Sequence, residues 1–280
     1  METKQNNATA NVSKKPAAKK KTGFTGIKSA FIVIIICLVV SFLNFYLNFG
    51  NGVHFQGGDN ANNPVDILGT IYKGGVIVPI IHGLFLTVVV LGIERALALK
   101  TAFGKTSLFK FVQNTRAALA KNDLAEVKSI CDKQGGTVAN VVSATLAKYK
   151  EVDADTVLTK EQKILAIQKE LDEATALEMP TLQQNLPILA TLTTLGVLLG
   201  LLGTVLGMIT SFQALAGGGG ADSAALSVGI SEALINTASG IATSALAVTL
   251  YNYFTNKIDH LTYSLDEVGF TLVQTFSATH

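Results

Sequence analysis

The residues of this chain that could do chemistry lie in two of its apolar stretches. Within residues 186–216, Thr193, Gly200, Thr204, Gly207 and Ser211 follow one another at intervals of 7, 4, 3 and 4 residues. At 100° per residue this keeps them within about 40° on one helix face, which Gly196 and Gly203 widen. Within residues 228–254, Glu232, Asn236, Ser239 and Thr243 follow at intervals of 4, 3 and 4, again on one stripe; Thr237 lies well around the helix from Glu232. Glu232 is the one carboxylate in the apolar runs away from a cytoplasmic end, and an acid at membrane depth is a functional candidate by default. A ring of hydroxyls with a carboxylate could line a pore and pass a proton or a sodium ion. The competing use of such stripes is close helix packing, assigned here to Gly196, Gly200, Gly203 and Gly207, with hydroxyls bonding back to the preceding turn.

These residues need long apolar helices to hold them. The 280 residues are 49% hydrophobic and 15% charged, against about 25% charge in soluble domains. The apolar residues gather into four runs, each long enough to cross a bilayer. The predicted fold is an all-α integral membrane protein with about four transmembrane helices, some of them extending into the cytoplasm. A net charge of +2 suggests no nucleic-acid partner, and Cys37 and Cys131 suggest neither a disulfide framework nor a zinc site. No metal-ligand cluster, Ser/His/Asp arrangement or phosphate loop is present. The glycines at 217–220 lack the strand, helix and lysine that a phosphate loop requires. Neither an enzyme nor a cofactor is expected.

In chain order, residues 1–29 form a basic tail with little to bury, expected to be disordered and cytoplasmic. Residues 30–49 are too long for a signal-peptide core and lack a small-residue cleavage site, so they read as a transmembrane helix. Asn44 and Asn48 on it are expected to face another helix or the interface. Residues 50–73 form a Gly/Asn-rich periplasmic loop. Residues 74–99 form the second membrane helix, with Glu94-Arg95 at the aqueous boundary. His82 within it reads as bonded to neighbouring backbone or lying near the interface rather than as a proton relay. Residues 100–185 form a cytoplasmic helical region. In it Leu108, Phe111, Val112, Thr115 and Leu119 share a face, the chain breaks at Gln134-Gly135-Gly136, and a helix starts near Thr159. That helix is predicted to carry Ile164, Ile167, Leu171, Ala174 and Leu177 on one face. It is also predicted to run on into the membrane, absorbing Pro180 and Pro187 as kinks. Residues 186–216 and 228–254 are the polar-striped membrane helices, joined by a periplasmic turn at 217–227, and 255–280 form a cytoplasmic C-terminal helix. The lysine and arginine distribution places both termini inside. Measured from the outer ends, Thr204 is about 18 Å deep and Thr237 about 14 Å, similar levels.

The runs GLLGTVLGMITSF from Gly200 to Phe212 and ISEALINTASG from Ile230 to Gly240, leading to Tyr251-Asn252, resemble the proton-channel family of ExbB, TolQ and MotA, ExbB above all. Residues 74–99, with Pro79 and Glu94-Arg95, resemble that family's first helix, and the resemblance covers about residues 70–260. It implies a multi-pass protein of the bacterial inner membrane, assembled as a homo-pentamer whose last two membrane helices line a central pore. An ExbD-like protein would place its single helix and a membrane aspartate in that pore. Proton flow would then energise a TonB-like protein for outer-membrane transport. Thr204 and Thr237 would line the pore near that aspartate, and Glu232 would lie toward the outer side. Val197 and Leu246 stand where the family usually has prolines, and the helix at 30–49 is additional to the usual three. Alternatives from the same residues are a TolQ- or MotA-like stator and a non-conducting membrane scaffold. A solute transporter is disfavoured, since no inverted repeat or pair of broken helices is visible.

Overall fold

Every described residue of the computed structural model that lies in regular structure is helical, apart from one isolated bridge between Phe55 and Pro64. The structure describes residues 26–27, 29–216 and 223–279. The expected disorder of the basic tail and the conformation of the 217–222 part of the outer turn lie outside these residues. Four helices are long and apolar enough to cross a membrane. In order, α1 spans Ala30–Asn44 and ends in a wider turn over Phe45–Phe49, α2 spans Ile67–Tyr72, and α3 spans Ile77–Phe103. Then come α4 (Leu108–Ala120), α5 (Leu124–Gln134), α6 (Gly136–Asp153) and α7 (Lys160–Gln183). Finally α8 spans Leu186–Ala216 and α9 spans Ser223–Thr279.

α3 is the central membrane helix. On one side Gly83 lets Leu38 of α1 approach closely, and Ser41 donates to the Pro79 carbonyl at 2.8 Å. On the other side Gly92 accommodates Leu250 of α9. α1 buries Ala30, Val33, Cys37, Ser41 and Phe45, a single stripe toward α3, and exposes Phe31, Ile32, Ile35, Ile36 and Val39. Asn44 and Asn48 lie on that exposed side and satisfy each other, with Nδ2 of Asn48 donating to Oδ1 of Asn44 at 2.7 Å. His82 donates to the Val78 carbonyl one turn back, at 2.9 Å.

The connection between α1 and α3 is an ordered cap rather than an open loop. Phe55 is buried against Tyr72, which also stacks on Phe45. Asp66 caps α2 by accepting from the Gly69 amide at 2.9 Å, while its other oxygen accepts from His54 Nδ1 at 2.6 Å. The Gly69 amide, then the His54 hydrogen bond, hold the Asp66 carboxyl below its ordinary value. A lowered folded-state pKa means that the contribution to stability is complete above the ordinary aspartate range and lost as pH falls through the depressed value. Protection of the Gly69 amide, its exchange compared with that of an unstructured peptide at the same pH, is therefore expected to fall only as pH drops below the ordinary aspartate range. Asp66→Asn, which removes the ionised acceptor, should flatten that pH dependence; an unchanged profile would remove Asp66 from the cap.

Outside the membrane helices, α4, α6 and α7 pack around the far half of α9, and α5 packs on α4 and α6. Its buried residues Phe254, Ile258, Leu261, Leu265, Val268, Leu272 and Phe276 recur every three or four positions, the spacing of a helix with one apolar stripe. Tyr149 of α6 meets Phe276 edge-on at 4.8 Å between ring centroids. Gln134 staples the α3–α4 turn through Phe103 and Thr106, and Gly135 and Gly136, at φ 62° and 78°, supply the left-handed backbone that separates α5 from α6. Thr159 and Gln162 form a reciprocal capping box at the start of α7.

Two expectations for α7 are corrected. Its buried face carries Ile167, Ala174 and Leu182, and Leu177 is exposed. Nor does it run continuously into the membrane: Gln184 and Asn185 interrupt it, with Asn185 at φ 64°. Pro180 is absorbed inside α7. Pro187 falls in the first turn of α8, where its missing N–H costs nothing but also cannot reach back to Gln183. The Leu189 amide bonds the Asn185 carbonyl at 3.3 Å and starts the new helix.

Candidate functional site

α8 and α9 form an antiparallel pair whose seam is made of backbone. A Cβ on Gly196 would lie 3.0 Å from the Gly240 carbonyl oxygen, and one on Gly200 would lie 3.1 Å from that of Asn236. Gly207 sits as close to the Gly229 carbonyl, and Gly203 takes the Asn236 side chain. The glycine face of α8 is thus turned to α9. The rest of α8 exposes Leu198, Leu201, Leu202, Val205, Leu206, Ile209 and Phe212, a surface suited to lipid or to neighbouring apolar helices.

The polar candidates divide into two groups. Asn236 and Thr243 are fully buried in the seam, as is Ser211 on α8. Thr243 and Ser211 donate one turn back, to Ser239 and Gly207 respectively. Asn236 Nδ2 reaches across to the Gly74 carbonyl at 2.9 Å and back to that of Glu232 at 3.0 Å. Its Oδ1 is buried without a partner.

Thr204, Thr237, Glu232 and Ser239 are partly exposed. The Thr204 and Thr237 hydroxyls touch across the seam. Thr204 Oγ1 lies 3.0 Å from the Gly200 carbonyl oxygen and 3.3 Å from that of Ala233, and Thr237 Oγ1 lies 3.5 Å from Gly200. Either hydroxyl can donate to the other while its neighbour donates to a carbonyl, so the pair has two proton arrangements. The Glu232 carboxylate packs over Gly75, at φ 78° before α3, and makes no hydrogen bond or ion pair with the other described residues. Any side chain on Gly75 would collide with it.

Glu94 and Arg95 are enclosed by protein. Arg95 is 0% and Glu94 3% exposed. Although sequence neighbours on a helix usually diverge, Arg95 Nε and Nη2 grip both Glu94 oxygens at 2.7 and 2.5 Å. Arg95 Nη1 donates to the carbonyls of Thr181 and Leu182, at 3.3 and 3.4 Å. Those are last-turn carbonyls of α7 that lack intrahelical donors because α7 ends there. Glu94 Oε1 also accepts from the Ile27 amide at 2.8 Å, and Gln184 and Asn185 each donate to the Ile27 carbonyl at 3.1 Å. The two adjacent charges in an apolar run were visible in the sequence; their capping of α7 was not, because the break in α7 was not foreseen.

Among the described residues no group of three or more His, Cys, Asp or Glu side chains could hold a metal ion. Membrane-length helices, two of them fused through glycines around touching hydroxyls and an unpaired carboxylate, define a multi-pass membrane protein with a polar seam. Residues 137–267, from α6 through most of α9, match the MotA/TolQ/ExbB proton channel family. It is 37% identical over 93 residues to a biopolymer transport protein ExbB homolog of Methanothermobacter thermautotrophicus, covering 33% of each chain. It is 32% identical over 113 residues to the Tol-Pal system protein TolQ of Haemophilus influenzae, covering 40% of this chain and 48% of that one. With TolQ of Pseudomonas aeruginosa the identity is 36% over 116 residues, 41% and 48% of the two chains. The chain thus spans between a third and a half of the length of these relatives.

Proposed function

We propose that this chain is the ExbB-like subunit of an ion-driven motor of the bacterial inner membrane, a non-enzymatic protein with both termini in the cytoplasm. It assembles as a homo-pentamer and encloses the single helix of an ExbD-like partner. Ion flow past that partner energises a TonB-like protein for outer-membrane transport. The observation that carries the proposal is the Thr204–Thr237 hydroxyl pair at mid-depth of the α8–α9 seam, with the unpaired Glu232 carboxylate above it toward the outer end. In this reading Thr204, Thr237, Glu232 and Ser239 border the ion pathway, while Asn236 and Thr243 hold the two helices around it.

A TolQ-like role in envelope maintenance is the second reading, favoured by the two TolQ proteins, which align over more of this chain than the ExbB homolog does. A MotA-like motility stator is a further member of the same class.

The test is flux in liposomes containing the complex purified with its single-helix partner. The parent complex should carry protons or sodium. Glu232→Gln and Thr237→Val should leave the assembly's mass unchanged and reduce flux to that of empty liposomes. A parent complex that carries neither ion would make the chain a non-conducting scaffold, and variants that conduct like the parent would take Glu232 and Thr237 out of the ion pathway.

A further inference from the structure

The segment entering α1 is fastened by its backbone to the break between α7 and α8. One peptide residue, Ile27, has its N–H taken by Glu94 and its carbonyl taken by both Gln184 and Asn185. Gly26, at φ 101°, lies flat on the Glu94–Arg95 pair, where a Cβ would overlap both side chains. The same Arg95 holds the last carbonyls of α7. All of these groups meet where the helical ladder between α7 and α8 is interrupted.

We propose that Glu94, Gln184 and Asn185 form a clamp for the Ile27 peptide, and that the clamped segment fixes the angle at which α8 leaves α7. A break without internal hydrogen bonds can bend; three bonds to a segment anchored by α1 remove that freedom. The clamp makes the additional helix α1 a positioning element for α8, and through α8 for the Thr204–Thr237 pair. That last consequence rests on the function proposed above, whereas the fixing of the helix angle does not.

The variant that unfastens the clamp with least disturbance is Gln184→Ala/Asn185→Gly. It removes both donors to Ile27 and gives position 185 the residue best suited to its positive φ. Spin labels at the exposed positions Leu177 on α7 and Leu198 on α8 report the angle in the full chain in lipid nanodiscs. The parent should give one narrow distance peak. The double variant should lose it for a broad distribution, with the Ile27 amide exchanging about tenfold faster, as for loss of a hydrogen-bonded contact. A narrow peak unchanged in the variant would overturn the clamp. Should the double variant fail to assemble, Gln184→Ala alone, with Asn185 intact, is read the same way. Flux measured on the same samples separates the two proposals: a broadened angle with no flux in the parent sustains the clamp and sinks the motor. Flux with an unchanged angle does the reverse.

Discussion

Replacing Arg95 with alanine is expected to cost about 3–5 kcal/mol, the penalty for stranding one member of a buried ion pair. Glu94 would lose its ion-pair partner at a site that is 3% exposed, with the Ile27 amide as its remaining donor among the described residues. The Thr181 and Leu182 carbonyls would lose the guanidinium that closes the end of α7. Arg95→Lys should recover only part of the loss, because an ammonium cannot span both Glu94 oxygens and two carbonyls at once. Removing both charges with Glu94→Leu/Arg95→Met should cost less than Arg95→Ala alone, since no buried charge is then left unpaired. Denaturation of the purified protein in mixed micelles gives these differences. A single variant no worse than the double would mean that the pair is hydrated in the membrane and is not the closed contact described.

The second large effect belongs to the α8–α9 seam. A Cβ on Gly240 would lie 2.5 Å from the Gly196 carbonyl oxygen and 2.8 Å from Gly200 Cα, both backbone atoms. No rotamer change relieves such an overlap, so the helices must separate, at a cost of about 3 kcal/mol or more, the upper end of the overpacking range. Gly200→Ala meets nothing closer than 3.1 Å and should cost distinctly less. The order Gly240→Ala worse than Gly200→Ala, read as a difference in thermal denaturation midpoint in one detergent, checks the geometry of the seam. The reverse order would mean that the two helices are rotated relative to this arrangement.

How much of this could be read in the sequence depended on whether a pattern was local. Helix periodicity and apolar length announce the membrane spans, and the Thr159–Gln162 capping box and the Gly135-Gly136 break are signals carried by neighbouring residues. The depth of Thr204 and Thr237 also followed from rise per residue. What stayed hidden were contacts between segments far apart in the chain. The Asn236 amide nitrogen donates to Gly74, and the Glu94–Arg95 pair closes a helix end some ninety residues away. Leu177 has the right spacing for the α7 stripe, but the packed side runs through Ala174 to Leu182 and leaves Leu177 facing away. Helical spacing says which residues share a side; only the fold says whether a neighbour is there.

α9 runs without interruption from Ser223 beside the outer turn to Thr279 beside Tyr149, a length of about 85 Å. A stiff rod of that length works as a lever. Pivoted near its outer end, a tilt of about one degree carries its far end through about 1.5 Å, comparable to the helix displacements of switching transitions. Leu246 stands in this rod without a hinge-forming proline, so in the motor proposed above a small push beside Glu232 would reach Phe276 with little bending on the way. The lever's stroke is set by geometry alone.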